Sequence, residues 1–539
     1  AAYGLLQTTH MHGSPDGPWY FLLAQSLAHG SGPREARLIG ITDTSMLRPQ
    51  VFALQQGMPG SPSIGMAASE RQAIDAALRS LADADPRFWP YPDRTWSARG
   101  GSHTDGGAFI FSVLRNPNGT AELHCRDKFG RQIEIEETSH PFPGPHHILA
   151  RPNGNQEFDG SAEELTGEFM EALPRRSAED VARELGEWVG RLGTDQAREV
   201  CLQALTQLLD RRYPTGQLRR SSLRSLLDSA TETWAQAIAE NPSDGFGHVG
   251  ASGPLPGPSL DGRVLVVDAR GFFAEGSGSL ALALQELVQR GYRRLVLVNV
   301  RGQRFIGNGL GGAGEGVQID VFGSPGDYLA SGIDGAVIRV HGSGQDQLGQ
   351  IMKAGRLVVY GDVGQTFMYG AKGGEAYVQG NTAGRPLINA VGKPKVVING
   401  TCLDYLAESF MAGDALNGGG FVVVNGLAFD SQGTLRELET PYPGGNLFSL
   451  ASGGAIFIRD PLRLVGEDQL NGGQFARFEP GHWAAIRPTL EENARLFHIP
   501  MERLLQSQGR SLLPEQVYRV VVPAGHQALQ PEQAWVAHR

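Results

Sequence analysis

Residues able to do chemistry are thinly spread over the 539 residues of this chain. The densest group is RGGSHTDGGAF (99–109), where Ser102, His103, Thr104 and Asp105 sit between glycine pairs and could line a pocket; the same residues serve equally well as a solvated loop between strands. Arg48 follows a strand in IGITDTSMLRP, and Pro49 stiffens the turn, a placement that favours structural use over substrate contact. His10 with His12, and His146 with His147, carry metal-ligating rings, but no acid or cysteine falls nearby at ligand spacing, so both pairs read as surface histidines. His124 beside Cys125 suggests a thiol–imidazole pair, yet strand neighbours point to opposite faces and hydrogen bond poorly. Cys125, Cys201 and Cys402 lie far apart with no Cys-x-x-Cys, which argues against a disulfide framework, an iron–sulfur cluster or a structural zinc site. No catalytic group and no metal site is nominated, and any redox centre is expected on another subunit.

The elements that must position these residues fall into blocks. More than one domain is expected at this length. Residues 15–150 alternate short apolar strands (WYFLLA, ARLIGIT, PQVFALQ, AFIFSVL) with turns around one amphipathic helix at 69–84, a mixed α/β layer pattern. From 161 to about 240 the periodicity is helical, with capping boxes at Ser161/Glu164 and Ser177/Asp180; Met170, Leu173, Val181, Leu185, Val189, Leu205, Leu208 and Leu209 form the expected core, and Pro174, Gly193 and Pro214 the breaks. The stretch 241–262 is rich in Gly, Pro and Ser and reads as a linker. RVLVVDA, SLALALQELVQRG and RRLVLVNV then form a βαβ unit. Its Gly276, Gly278 and Ala281 superficially match a dinucleotide loop, but they stand too far from the first strand for the tight turn that motif needs.

The net charge of −10 leaves no basic footprint for nucleic acid or a membrane surface. No apolar run reaches the roughly 18 residues of a membrane span, and AAYGLLQTTHMHG lacks the regions of a signal peptide, so a cytoplasmic address is expected. The 73 glycines are nearly twice the usual share of about 7 per cent and must do positional work. That work is periodic. Gly323, Gly342, Gly361, Gly380, Gly400 and Gly426 each close an apolar strand (VQIDVFG, AVIRVHG, RLVVYGD, EAYVQGN, KVVINGT, FVVVNGL) at a spacing near 20 residues. A second ladder runs through Leu329, Leu348, Phe367 and Leu406, with Pro386 and Leu387 at the coil between, and a third through Ile333, Met352, Ala371, Val391 and Met411. Three ladders at one period predict stacked coils, a parallel β-helix with a dry interior, in which the corner glycines favour positive φ and a missing side chain.

The array in GDYLASGIDGAVIRVHGSGQDQLGQIMKAGRLVVYGDVG resembles the GXGXG β-helix domain at the end of the glutamate synthase large subunit, over roughly 263–460. DGPWYFLLA (16–24), IGITDTSMLRP (39–49) and GMAASE (65–70) are similar to the back half of that family's class II glutamine amidotransferase domain. The resemblance implies a multidomain α+β chain: an incomplete Ntn-type α/β layer domain (1–160), a helical insertion (161–240), a linker (241–262), a βαβ lead-in with a right-handed parallel β-helix (263–460) and a C-terminal extension (461–539). Family glutaminase domains begin with a catalytic Cys; this chain begins with Ala1 and has no cysteine before Cys125, so the front half is expected from another chain or glutaminase activity is lost. The implied role is a structural or auxiliary subunit of a glutamate-synthase-like oxidoreductase in split form, with no cofactor on this chain and FMN and iron–sulfur centres on partners, including a synthase-like flavoprotein. Two other roles stay open: an amidotransferase subunit completed by another chain, and a scaffold of a formylmethanofuran-dehydrogenase-type or other redox complex.

Overall fold

A computed structural model describes residues 158, 160–258, 262–430 and 432–524, together with the backbone of seven short strands before residue 134. The expected helix at 69–84, Arg48, the 99–109 loop with Ser102, His103, Thr104 and Asp105, and the paired histidines lie outside the described residues. The early strands form two antiparallel sheets. One runs Leu6–Thr9, Tyr20–Gln25, Glu35–Ile41 and Gln50–Gln55; the other runs Ile110–Arg115, Ala121–Arg126 and Gln132–Ile133.

Four helices follow: α1 (Ala162–Ala172), α2 (Ala178–Val189), α3 (Asp195–Asp210) and α4 (Arg220–Glu240). Ser161 with Glu164 and Ser177 with Asp180 close reciprocal capping boxes at the starts of α1 and α2, and Thr194 caps α3. The apolar stripes meet: α1 packs on α3, and α4 packs on α2 and α3. They bury Phe169, Leu173, Val181, Leu185, Leu205, Leu208 and Trp234. Met170 is only half-buried and packs at the margin of that core.

The rest of the chain is organised by one twelve-stranded, mostly parallel sheet. Its strands are β1 (Phe246–Val249), β2 (Val264–Asp268), β3 (Arg294–Arg301), β4 (Gln318–Ser324), β5 (Asp334–Val340), β6 (Ala354–Val359), β7 (Glu375–Val378), β8 (Lys395–Ile398), β9 (Phe421–Val424), β10 (Ala455–Arg459), β11 (Gly473–Ala476) and β12 (Tyr518–Pro523). Helix α5 (Leu280–Gln289), capped by Ser279, crosses from β2 to β3. Strands β1 to β10 pair in chain order and in parallel; β12 then pairs antiparallel with β10, and β11 with β12. Two expectations change here. Phe246–Val249 lies within the supposed linker, yet Phe246 and Val249 are buried and give the segment enough apolar surface to add an edge strand. Tyr518–Pro523 lies in the supposed extension but closes the far end of the same sheet.

Period-two alternation gives the sheet two different faces. Ile319, Ile338, Leu357, Ala376, Val396, Val422 and Ile456 stand opposite one another in register and point into a single apolar interior. The returning arm of each repeat fills the other side of that interior with Leu329, Leu348, Phe367, Leu387 and Leu406, all fully buried. The third ladder holds through Ile333, Met352 and Ala371, but Val391 is only half-buried and Met411 is 49% exposed, with Ala390 and Ala412 buried beside them. The outer face is covered twice: α1–α4 over Val264, Val266, Val296, Val298 and Phe322, and the C-terminal segment with α6 (Pro480–Phe497) over Val358, Tyr377, Val397, Val423 and Phe457.

In the returning arm, alternate residues take positive φ: Gln347, Gly349 and Ile351 in one repeat, Thr366, Met368 and Gly370 in the next, then Arg385, Leu387 and Asn389. Each donates its N–H to a neighbouring repeat, the outer two forward and the middle one backward, as Gln347 to Gln365 O (2.8 Å), Gly349 to Leu329 O (2.9 Å) and Ile351 to Tyr369 O (2.7 Å). A non-glycine residue in this region costs of order 1–3 kcal/mol and persists only where its surroundings hold it. Here the holding bonds run between repeats, so the arm is stable only as part of the stack.

Leu348 is sealed in the interior, whereas its neighbour Gln347 is half-buried and faces away. Leu348→Ala is expected to cost about 2–5 kcal/mol, and Gln347→Ala to stay within about 0.5 kcal/mol. Urea unfolding of the two variants checks this; equal losses would reject the inward and outward assignment.

Candidate functional site

The two properties expected of the corner glycines, positive φ and a missing side chain, are divided among them. Of the six, only Gly323 and Gly426 have positive φ. At Gly361, Gly380 and Gly400 the constraint is occupancy: a Cβ there would land on Ser343 Oγ, Asp362 Oδ1 and Asn381 Oδ1 respectively. Those atoms belong to the residue after the previous repeat's glycine, and each accepts a backbone N–H one repeat on: Ser343 from Asp362 (3.0 Å), Asp362 from Asn381 (2.7 Å) and Asn381 from Thr401 (3.0 Å). Gly342 differs. The nearest atom to its absent Cβ is Arg224 Nη2, at 3.3 Å.

The residue before each corner glycine points the other way, out of the sheet and under the helical covers. These are Phe322, His341, Tyr360, Gln379, Asn399 and Asn425, all buried. Polar groups so placed require partners, and the two covers supply most of them, Gln379 Oε1 being left without one. Gln379 Nε2 donates to Asp210 O (3.0 Å) at the end of α3. Asn399 and Asn493 of α6 exchange two hydrogen bonds of 2.9 Å, Asn425 donates to Asn399 (2.9 Å), and Tyr518 OH donates to Asn425 (3.1 Å).

His341 is the charged centre of this seam. It is 1% exposed and lies between the rings of Phe322 (4.4 Å between centroids) and Tyr360 (5.5 Å). Its Nδ1 donates to Asp210 (2.9 Å) and its Nε2 to Asp320 (3.3 Å). Burial alone would depress the imidazolium, but Asp210 and then Asp320 outweigh it and raise the His341 pKa to about 9. Asp320 is likewise opposed by burial, and its bond to His341 carries its pKa below the usual carboxylate range. With both ring nitrogens donating and the proton retained at neutral pH, His341 has no lone pair for base catalysis; it is a fixed charge joining a helix to two strands.

Three arginines extend the junction. Arg212 Nη2 donates to Tyr360 O (2.9 Å), Arg224 Nη2 to His341 O (2.8 Å) and Arg220 Nη2 to Arg211 O (2.7 Å). The described thiols are withdrawn from chemistry: Cys201 and Cys402 are fully buried, and desolvation pushes both pKa values up. Among the described residues no group of three or more His, Cys, Asp or Glu side chains could hold a metal. The sequence reading missed Asp210, Asp320, His341 and the arginines. The available signal was the outward-facing polar residue before each corner glycine, together with the RR and RR doublets at 211–212 and 219–220.

Residues 293–507 match the GXGXG motif family. An uncharacterised protein of Methanocaldococcus jannaschii is 30% identical over 231 residues, which cover 41% of this chain and 82% of the relative.

The His341 proton gives a pH signature with a definite sign. Its pKa is raised to about 9 in the folded chain against roughly 6.5 unfolded. The stabilisation is therefore complete below about pH 6.5 and lost as the pH rises to about 9, by at most about 3–4 kcal/mol. Urea midpoints of the wild type and His341→Asn across this window test it: the wild type should lose the extra stability with rising pH, and the difference between the two should shrink. A constant difference would mean that the proton is not held as the geometry implies.

Proposed function

The chain belongs to the GXGXG motif family through residues 293–507, and from that premise we propose that it is a structural or auxiliary subunit of a glutamate-synthase-like oxidoreductase complex. FMN and iron–sulfur chemistry then resides on partner chains, one of them a synthase-like flavoprotein. In this reading the repeats are coils of a right-handed parallel β-helix, and residues 1–160 are an Ntn-type α/β layer of the amidotransferase kind. The observation that carries the reading is where the polar chemistry of the matched region goes. His341 bonds to Asp210 and to Asp320, and Asn399 to Asn425 and to Asn493, so these buried polar groups are engaged in holding covers onto a sheet. A rigid stack with helical covers suits positioning other subunits. No helix among the described residues is long and apolar enough to cross a membrane.

Purification of the tagged chain with its native partners should yield a complex with flavin or iron–sulfur absorbance, while the chain expressed alone should be colourless. Stoichiometric flavin or cluster on the isolated, folded chain would overturn the reading, as would a native complex free of both chromophores.

A further inference from the structure

Of the 47 basic residues only five are lysines, and four of them, Lys353, Lys372, Lys393 and Lys395, fall within 43 consecutive residues. The stack brings those four to one corner. Lys353 donates its N–H to Ile333 O (2.9 Å), Lys372 to Met352 O (2.7 Å) and Lys393 to Lys372 O (3.1 Å), so the three follow one another on successive repeats. Lys353, Lys372 and Lys393 are exposed, and Lys395 is half-buried beside them. A groove of about 480 Å³ opens at this corner, floored by Ala354, Gly355 and Gly374 and walled by Glu375, Lys393 and Lys395. Its one acid is already occupied: Glu375 accepts from Arg356 (2.7 Å) and from Tyr377 OH (3.1 Å), while Arg356 also pairs with Glu492.

The lysines are treated differently from the other cations. Among the described residues every side-chain ion pair is made by arginine or histidine and none by these four lysines; Glu375, opposite Lys395 across the sheet, pairs with Arg356 instead. Arginine locks into bidentate pairs with its neighbours, whereas lysine carries a hydrated point charge on a flexible stem. An unpaired cationic comb on a chain of net charge −10 is a local reversal of sign, the pattern that steers and orients an oppositely charged partner.

We propose that this corner is a docking site for an acidic segment, a short run of aspartate and glutamate side chains, on a partner chain. The inference rests on the subunit reading for the existence of a partner, and on the surface itself for the partner's chemistry. Strands in a sheet lie about 4.8 Å apart, so lysines on three repeats span roughly 10 Å, more than one carboxylate or phosphate can bridge. A long polyanion or an anionic bilayer would also meet the rest of an acidic chain, while a short segment touches only the corner.

Fluorescence anisotropy of the full chain with a fluorescein-labelled octaglutamate peptide tests this. Wild type should bind, and binding should weaken when sodium chloride rises from about 50 to about 300 mM. K353Q/K372Q/K393Q/K395Q should weaken binding by about tenfold or more with an unchanged urea midpoint, because the replaced groups hold no internal partner; the matching Lys→Arg set should retain it. Equal binding by the Lys→Gln set overturns the proposal, as does loss in the Lys→Arg set. Displacement by free glutamate or inorganic phosphate at equal concentration would mark a small-anion site instead, and co-sedimentation with phosphatidylserine vesicles a membrane contact; both outcomes reject it. Failure of peptide binding alongside a flavin-bearing native complex would sink this inference and leave the subunit reading standing.

Discussion

The structure depends on collisions avoided at the corners of its repeats. When chain is stacked at a fixed period, a side chain at one corner competes for space with whatever the preceding repeat placed there. At Gly361, Gly380 and Gly400 the volume that a Cβ would fill belongs to the previous repeat's Ser343, Asp362 or Asn381, and that side chain uses the space to accept a backbone N–H. Glycine and the small polar residue after it are thus one device split across two repeats. Neither works alone: without the glycine the acceptor cannot enter, and without the acceptor a backbone N–H at the corner loses its protein partner. The corner therefore fixes the stacking of the strands, which fixes the interior ladder on one face and the polar ladder on the other.

From the outer ladder follows the attachment of the helices. A sheet whose outer face ended in apolar side chains alone would accept a helical cover in several positions. Here the row from Phe322 to Asn425 places His341 between two aromatic rings and ends in three amides, and the covers answer it: Asp210 at the end of α3 meets His341, and Asn493 in α6 meets Asn399. Buried polar pairs add less stability than well-packed apolar ones, but they penalise every misaligned arrangement by leaving groups unpaired. The two covers are thereby held in register with the repeats, and with each other, although one precedes the repeats in the chain and the other follows them.

Much of this was legible in the sequence where the signal is local. The capping boxes at Ser161 and Ser177 formed, the core of the four helices was read with Met170 alone at the margin, and the ladder Leu329, Leu348, Phe367 and Leu406 is buried throughout. The glycine positions were visible from their spacing, but the reason for three of them was not, because it lies in a side chain of the preceding repeat. The positive-φ arm was also hidden: Gln347, Thr366, Arg385 and Leu387 are residue types that avoid this conformation when isolated, and only bonds between repeats hold them in it. His341 was unreadable for a similar reason, since Asp210 stands 131 residues away. Short apolar strands such as Phe246–Val249 were masked by glycine-rich and proline-rich flanks whose composition dominates a window.

The lengthening of the interval from Gly400 to Gly426 shows which interactions carry the period. The extra residues pass through a short 3₁₀ turn, Ala415–Asn417, yet Phe421 still stands opposite Lys395 and Val424 opposite Ile398. The next repeat is longer still, with a hairpin of Leu427–Phe429 and Leu435–Glu437, and Val422 nevertheless faces Ile456. On the returning arm, Tyr405 donates to Gly445 O (3.1 Å) across the same insertion. Insertions are absorbed at corners because the bonds that set the register run along the strands and the returning arm, and a corner need only bring the chain back to those lines. Stacks of this kind can gain surface features without disturbing their interior, and the stack closes where β12 turns antiparallel against β10 and covers an edge that would otherwise template further pairing.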